Sequence, residues 1–263
     1  MTGSATTHVL LDATALPPGT SRGGVSRYVD ELVGHWPIER VELTVVAQPY
    51  DSARYAAQLG PGRVVTGPAA LGRQPVRLAW EQVGLPRLIA QRDVDVMFSP
   101  HYTMPLAGRL LRHDGRRVAQ VVTLHDVVAW RFGDESPPVR AAAAELRSAA
   151  AVICVSEFTA GEARDLLGLT EVRVVPNGVA AAFFDAIPLD APALAGLGLP
   201  RRFVLHAGGA ARRKNLDALA AAWPDVRAAH PDMCLALCGP PHPRRDALFA
   251  GMPGVRLLGR LPD

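Results

Sequence analysis

The sequence predicts an α/β fold of parallel sheets flanked by helices, one complete unit followed by the opening of a second. Three observations carry this. Short β-rich runs alternate with helix-periodic stretches along the whole chain. Hydrophobic residues make up 49% of the 263 residues but aromatics only 6%, so the core must be built from Ala, Val and Leu, as in a sheet buried on both faces. The pattern restarts after a Pro- and Gly-rich stretch, then stops at Asp263 before a second unit of this type closes.

The strands expected in the first unit are His8–Ala13, Glu42–Ala47, Val94–Ser99, Val118–Leu124, Val152–Val155 and Val172–Val175. Between the first two, Gly24–Trp36 reads as a helix, because Val25, Val29, Leu32, Val33 and Trp36 recur at spacings of three and four. In Arg77–Arg92, apolar residues alternate with Arg77, Arg87 and Arg92. A basic amphipathic membrane element is conceivable there, but core packing is the better reading, with Pro86 interrupting the helix. Ala141–Ala151 is Ala-rich and helix-prone. Phe158–Leu167 follows Ser156, an N-cap candidate, and ends at Gly168, a C′ candidate.

Pro188, Pro192, Gly196, Gly198 and Pro200 mark a linker, giving domains 1–185 and 201–263 around a 186–200 connection. The second unit supplies strands Phe203–Ala207, Met233–Cys238 and Val255–Leu258, with a helix from about Asn215 that places Leu216, Leu219, Ala220 and Trp223 on one face. Three strands leave apolar surface uncovered, which would favour self-association.

Twenty-eight basic against 25 acidic residues give a net charge of +3. That suits phosphorylated ligands or an anionic membrane, and implies no nucleic acid. Cys154, Cys234 and Cys238 all lie in apolar runs, as free thiols of a reducing cytoplasm do. The first residues lack a secretory pattern and no apolar run is long enough to span a bilayer. A cytoplasmic location follows, with peripheral contact at the inner membrane face left open.

Four segments carry candidate chemistry. Arg22-Gly23-Gly24-Val25-Ser26-Arg27-Tyr28 follows strand one and opens a helix. Its glycines let backbone approach a ligand, and the helix start offers free N–H groups to phosphate; a simple tight turn is the alternative. It is not Gly-x-Gly-x-x-Gly, which argues against a dinucleotide enzyme. His125-Asp126 ends an apolar strand, where parallel sheets bind ligands. The histidine can serve a substrate hydroxyl or developing charge, with Asp126 orienting it or capping the next segment. Arg212-Arg213-Lys214-Asn215 sets three cations at a helix start after Gly208-Gly209, a diphosphate cradle or a solvated cluster. Asp93-Val94-Asp95 could hold a metal but is better read as flanking a strand entry.

Nine segments in order resemble retaining glycosyltransferases of family four. They are Gly23–Tyr28, Trp80–Gln82, Ser99–Tyr102, Thr123–Asp126, Val155–Thr159, Val174–Val179, Arg213–Asn215, Cys238–Pro240 and Leu258–Asp263. The mannosyltransferase-like branch of polysaccharide and glycolipid assembly is the nearest in flavour. The resemblance implies a GT-B fold: two Rossmann-like domains across a cleft, acceptor on the N-terminal side and nucleotide-sugar on the C-terminal side.

It further implies that Gly23 and Gly24 approach the donor diphosphate, that His125 with Asp126 serves the transferred sugar, and that Arg213 and Lys214 bind the diphosphate. Gly239, Arg260 and Leu261 would lie toward the base, and Arg27, Tyr28, His101 and Tyr102 toward the acceptor. A GDP- or UDP-linked hexose donor and a carbohydrate or lipid-linked acceptor are implied, with retention of configuration and no metal. Two departures stand out. The family's pair of glutamates seven residues apart has no counterpart before Asp263, so a truncated, impaired enzyme is expected. Gly209 stands where many relatives carry Arg or Thr. A non-catalytic glycan- or partner-binding module and a GT-B sugar-nucleotide epimerase or hydrolase remain alternatives.

Overall fold

The computed structural model describes residues 6–18, 23–132 and 143–261. Two compact units are present, Met1–Gly178 and Val179–Asp263.

The first unit is built on seven parallel strands in the order β3-β2-β1-β4-β7-β8-β9. They are β1 (Thr7–Asp12), β2 (Val41–Ala47), β3 (Val64–Thr66), β4 (Val96–Ser99), β7 (Ala119–Leu124), β8 (Ala151–Cys154) and β9 (Val172–Val174). A small antiparallel hairpin, β5 (Arg112–His113) and β6 (Arg116–Arg117), precedes β7. The chain leaves β1 for β2 on one side and returns to β4 on the other. The carboxyl ends of β1 and β4 therefore form a topological switch point, the crevice where open parallel sheets bind ligands.

Alternation within β1 shows why a continuous apolar run folds this way. Val9 and Leu11 pack with Val29 and Val33 of α1 (Gly24–Gly34), on one face of the sheet. Leu10 packs on the other face with Leu85 and Ile89 of α3 (Gln74–Ala90). Asp12 continues the even register, which carries its carboxylate to the α3 side. On the first face, α2 (Pro49–Leu59) adds the buried Tyr55, whose hydroxyl donates to Asp30 Oδ1 at 2.8 Å.

Two helical expectations need correction. α3 is not interrupted at Pro86 but runs through it to Ala90. A proline inside a helix costs about 3 kcal/mol; complete burial of Leu85 and Ile89 opposes that loss. The Ala-rich stretch is no α-helix in its described part: Ala143–Ser148 forms a 3₁₀ turn and Ala151 already belongs to β8. The Ala150 N–H is captured by the Gln120 carbonyl at 2.8 Å, so sheet pairing overrides alanine's helix preference. Residues 141 and 142 lie outside the described residues. After the short α4 (Val128–Arg131), α5 (Glu157–Leu167) starts and stops as its sequence indicates: Ser156 Oγ accepts from Thr159 N, and Gly168 is left-handed at φ 64°.

The second unit pairs β10 (Phe203–Ala207), β11 (Cys234–Cys238) and β12 (Val255–Gly259) in parallel, in that order. α7 (Leu216–Ala229) covers one face through Leu216, Ala220 and Trp223, packed on Leu235, Leu237 and Phe249. The 186–200 stretch is not a bare connection. Asp190 caps α6 (Ala191–Gly196), and Leu199 is buried with Cys234 and Ala236 on the other face. Leu205 and Leu257 remain about half exposed. α8 (Pro243–Leu248) follows β11. All three cysteines are free thiols. Among the described residues, no helix is long and apolar enough to cross a membrane.

Candidate active site

His125 follows β7 at the carboxyl edge of the first sheet. Its Nε2 lies 3.0 Å from the Pro100 carbonyl oxygen, which can only accept, so the proton sits on Nε2 and Nδ1 offers a lone pair. Burial lowers the imidazole pKa below its usual value, against the opposing pull of the Pro100 carbonyl and Asp126. The ring is held on one further side, and its backbone by one more bond. Tyr28 stands edge-on to it at 4.8 Å, and its own hydroxyl reaches Thr123 Oγ1 at 3.1 Å. The His125 carbonyl accepts from Thr159 Oγ1 at 3.3 Å, which ties the start of α5 to the same loop.

Asp126 does not orient the imidazole by a hydrogen bond. Its Oδ1 accepts from Val128 N at 3.0 Å and caps α4. Arg27 is exposed on α1. Gly23 and Gly24 open α1 with no side-chain cap and no acidic residue in the first turn. A side chain added at either glycine would meet no atom of the described residues within 4 Å. The chain's own packing thus does not require glycine there, whereas the close approach of a ligand would. Arg22, the first residue of this motif, lies outside the described residues.

Beneath His125 runs a buried polar network that the sequence analysis missed. Asp12 Oδ1 accepts from the N–H and hydroxyl of Thr14 at 2.9 and 2.6 Å. Its Oδ2 has no hydrogen-bond partner among the described residues and lies 3.8 Å from His101 Nε2. Thr103 Oγ1 is paired with His101 Nδ1 at 2.9 Å and donates to Glu81 Oε2 at 3.1 Å, which also accepts from Arg77 Nη1 at 3.2 Å. All six side chains are buried, Asp12, Thr14 and Glu81 completely. Burial first and the Asp12 charge second push the Glu81 carboxyl up to about 8, despite Arg77 and Thr103. Burial likewise drives His101 down to about 4, against the pull of Asp12.

His101 is therefore a buried member of this network rather than an open wall. Tyr102 packs against Leu78 and meets Trp130 edge-on at 5.4 Å. A charged residue at a strand end and the Trp80-Glu81-Gln82 segment were the available signals; neither says that the charges converge underground.

A groove of about 240 Å³ opens beside the network, lined by Thr14, Leu16, Gln48, Tyr50, Gln74 and Arg77 among others. A larger hollow, about 440 Å³, lies at the amino ends of β1, β2 and β4 around His8, Asp93 and Asp95. That is the end of a parallel sheet where ligands are not expected. The Asp93 and Asp95 carboxylates pair there with Arg116 at 2.9 and 3.2 Å. Among the described residues, no group of three or more His, Cys, Asp or Glu is placed to hold a metal ion.

In the second unit, Arg212–Lys214 forms a 3₁₀ turn rather than the start of the helix itself, and Asn215 (φ 50°, ψ 45°) leads into α7 without a side-chain cap. All three cations are exposed, with no ion pair to any described residue. Lys214 is the chain's sole lysine. Gly239, at φ 135°, admits no side chain, since a Cβ would lie 2.4 Å from the Gly208 carbonyl oxygen. Arg260 and Leu261 are exposed just beyond β12; Pro262 and Asp263 lie outside the described residues.

The profile of the family described as Glycosyltransferase Family 4 matches residues 22–183. No curated protein matches by sequence. Solved structures share the fold at low identity. A glycosyltransferase from Rickettsia africae superposes with a TM-score of 0.65 at 15% identity, covering 99% of this chain and 70% of that one. Anabaena Alr3699/HepE in complex with UDP and glucose gives 0.61 at 15% identity, covering 97% and 70%. A Listeria monocytogenes protein provisionally assigned as a UDP-N-acetylglucosamine 2-epimerase gives 0.55 at 16% identity, covering 98% and 70%.

Proposed function

Because the chain belongs to Glycosyltransferase Family 4, we propose that it transfers a hexosyl group from a GDP- or UDP-linked donor to a carbohydrate or lipid-linked acceptor, with retention of configuration. The observation that carries this reading is His125. It is a neutral imidazole fixed on Pro100 and Tyr28 at the carboxyl edge of the sheet, its backbone carbonyl tied to Thr159, with Nδ1 available to accept from a hydroxyl of the transferred sugar. A nucleotide-sugar is favoured as donor by the UDP and glucose bound in the Anabaena structure and by the unpaired cations at Arg212, Arg213 and Lys214.

In this reading Arg213 and Lys214 neutralise the leaving diphosphate as the bond from anomeric carbon to phosphate oxygen breaks. The acceptor hydroxyl attacks from the same face, and its proton passes to the departing phosphate oxygen. The groove beside the buried network offers the amide of Gln74 and the guanidinium of Arg77 to an acceptor, and Arg27 and Tyr28 stand on α1. Asp126 serves the site by holding the loop rather than by touching substrate.

Calorimetric titration with GDP, UDP and their mannose and glucose conjugates tests the donor assignment. Binding that weakens at least tenfold in Lys214→Ala supports it, and absence of binding to every one of them rejects it. Donor hydrolysis or epimerisation without any acceptor, and no transfer with one, would select the epimerase or hydrolase reading instead.

A further inference from the structure

Arg245 is the largest fully buried side chain of the second unit, at 1% exposure. Its only carboxylate partner among the described residues is its neighbour Asp246, whose Oδ1 accepts from Nε at 3.2 Å and which is itself partly exposed. The Nη1 end is buried with no hydrogen-bond partner among the described residues. A guanidinium withdrawn from water and half-satisfied is costly, and apolar residues of similar size are often as stable in such a place. Folding alone is therefore a poor reason for an arginine there.

Its surroundings supply a better one. A Cβ at Gly239 would lie 3.4 Å from Arg245 Nη1 and 2.4 Å from the Gly208 carbonyl oxygen, so the guanidinium ends where the two strand-terminal glycines meet. A second buried atom without a hydrogen-bond partner among the described residues, Nδ1, belongs to His206, two residues before Gly208, whose Cε1 would be 3.8 Å from a Cβ there. Arg244 fixes α8 against the same loop: Nη1 donates to the Ala210 carbonyl at 3.3 Å and Nη2 is paired with Asp217. Arg212, Arg213 and Lys214 follow in that loop, exposed and with no ion pair to any described residue.

We propose that Arg245 is the buried cationic floor of an anion site at Gly208–Gly209, whose exposed wall is Arg212, Arg213 and Lys214 and whose ligand is a diphosphate. The inference rests on the donor reading of this unit and adds to it a residue that no motif marks. A positive charge in low dielectric acts on an anion above it more strongly than one in water does. Cations on two sides suit an extended anion with two phosphoryl groups better than a single carboxylate. Arg245 acts as a positioning residue, preorganising the field at the glycine loop before the ligand arrives.

The test compares Arg245→Met and Arg245→Lys with the unaltered chain, titrated with inorganic pyrophosphate, UDP and GDP, and followed by thermal unfolding. Expected for Arg245→Met is at least about tenfold weaker pyrophosphate binding, the usual weight of a charge-assisted contact, with no fall in Tm. Arg245→Lys, which keeps the charge, should recover most of the affinity. A purely structural arginine predicts the opposite: lower Tm and unchanged affinity.

Should neither variant fold, selectively ¹⁵N-labelled arginine in the unaltered chain decides. The Arg245 Nε–H resonance must shift with pyrophosphate and not with equal ionic strength of sodium chloride; no shift overturns the proposal. Nucleoside diphosphate binding that is intact and indifferent to Arg245→Met overturns it while leaving the donor reading standing. An unaltered chain that binds neither pyrophosphate nor a nucleoside diphosphate overturns both.

Discussion

Tyr28 and His125, 97 residues apart in sequence, meet edge to face with ring centroids 4.8 Å apart. The first helix thereby sets the attitude of an imidazole that belongs to the fourth strand from it in chain order of the main sheet. Tyr28→Phe keeps the ring contact and removes only the hydroxyl's bond to Thr123. It should cost about 1 kcal/mol, or about 2–4 °C in Tm. Tyr28→Ala should in addition lower transfer rate, because His125 loses a wall. Equal rates for Phe and Ala at this position would sever the link between α1 and the imidazole.

His125 should titrate below the ordinary histidine range, because burial disfavours its charged form. The unfolded chain then binds the proton more readily, so this residue's contribution to stability is lost as pH falls below that range. Proton NMR of the imidazole gives the midpoint directly. Transfer should weaken on the same acid limb, and His125→Ala should lower it about 100-fold or more with the fold intact.

Glu81 has the opposite sign. Its folded pKa, about 8, lies above the usual carboxylate value, so the unfolded chain releases its proton first. Stability from this group is complete below about pH 4.5 and drains away as pH rises through 8. His101, lowered to about 4, removes stability as pH falls from about 6.5 toward 4. Urea unfolding across pH 4–9 should show both limbs, and Glu81→Gln should flatten the alkaline one alone. An alkaline limb unchanged in Glu81→Gln would assign it to another group.

The glycines divide into two kinds. Gly239→Ala forces a Cβ against the Gly208 carbonyl at a φ of 135° and should destabilise the second unit by at least about 2 kcal/mol. Gly23→Ala and Gly24→Ala meet no atom of the described residues within 4 Å and should leave Tm nearly unchanged. Any effect they have should appear in ligand affinity, read by calorimetry on folded protein.

Much of the fold was legible in the sequence because buried parallel strands announce themselves as unbroken apolar runs; β1, β2 and β7 fall within a residue or two of their expected ends. β3 escaped notice because Val64–Thr66 is a three-residue edge strand, too short for periodicity. The Ala-rich stretch misled because composition records what a segment prefers alone, whereas Ala150 answers to Gln120 across the sheet. The position of His125 could be read from a strand ending; its tautomer could not, since Pro100 arrives from a different strand. Asp12, Glu81 and His101 stand in three separate elements, and nothing local distinguishes a carboxylate bound for solvent from one bound for the interior.

The contrast between the glycine pairs has an evolutionary meaning. A descendant of this chain can exchange Gly23 or Gly24 and still fold, so those positions are free to follow whatever molecule a lineage comes to handle. Gly239 has no such freedom, because its neighbour is another backbone. Across a lineage, drift at the first pair would record a change of diet, and drift at Gly239 would record the abandonment of the second unit.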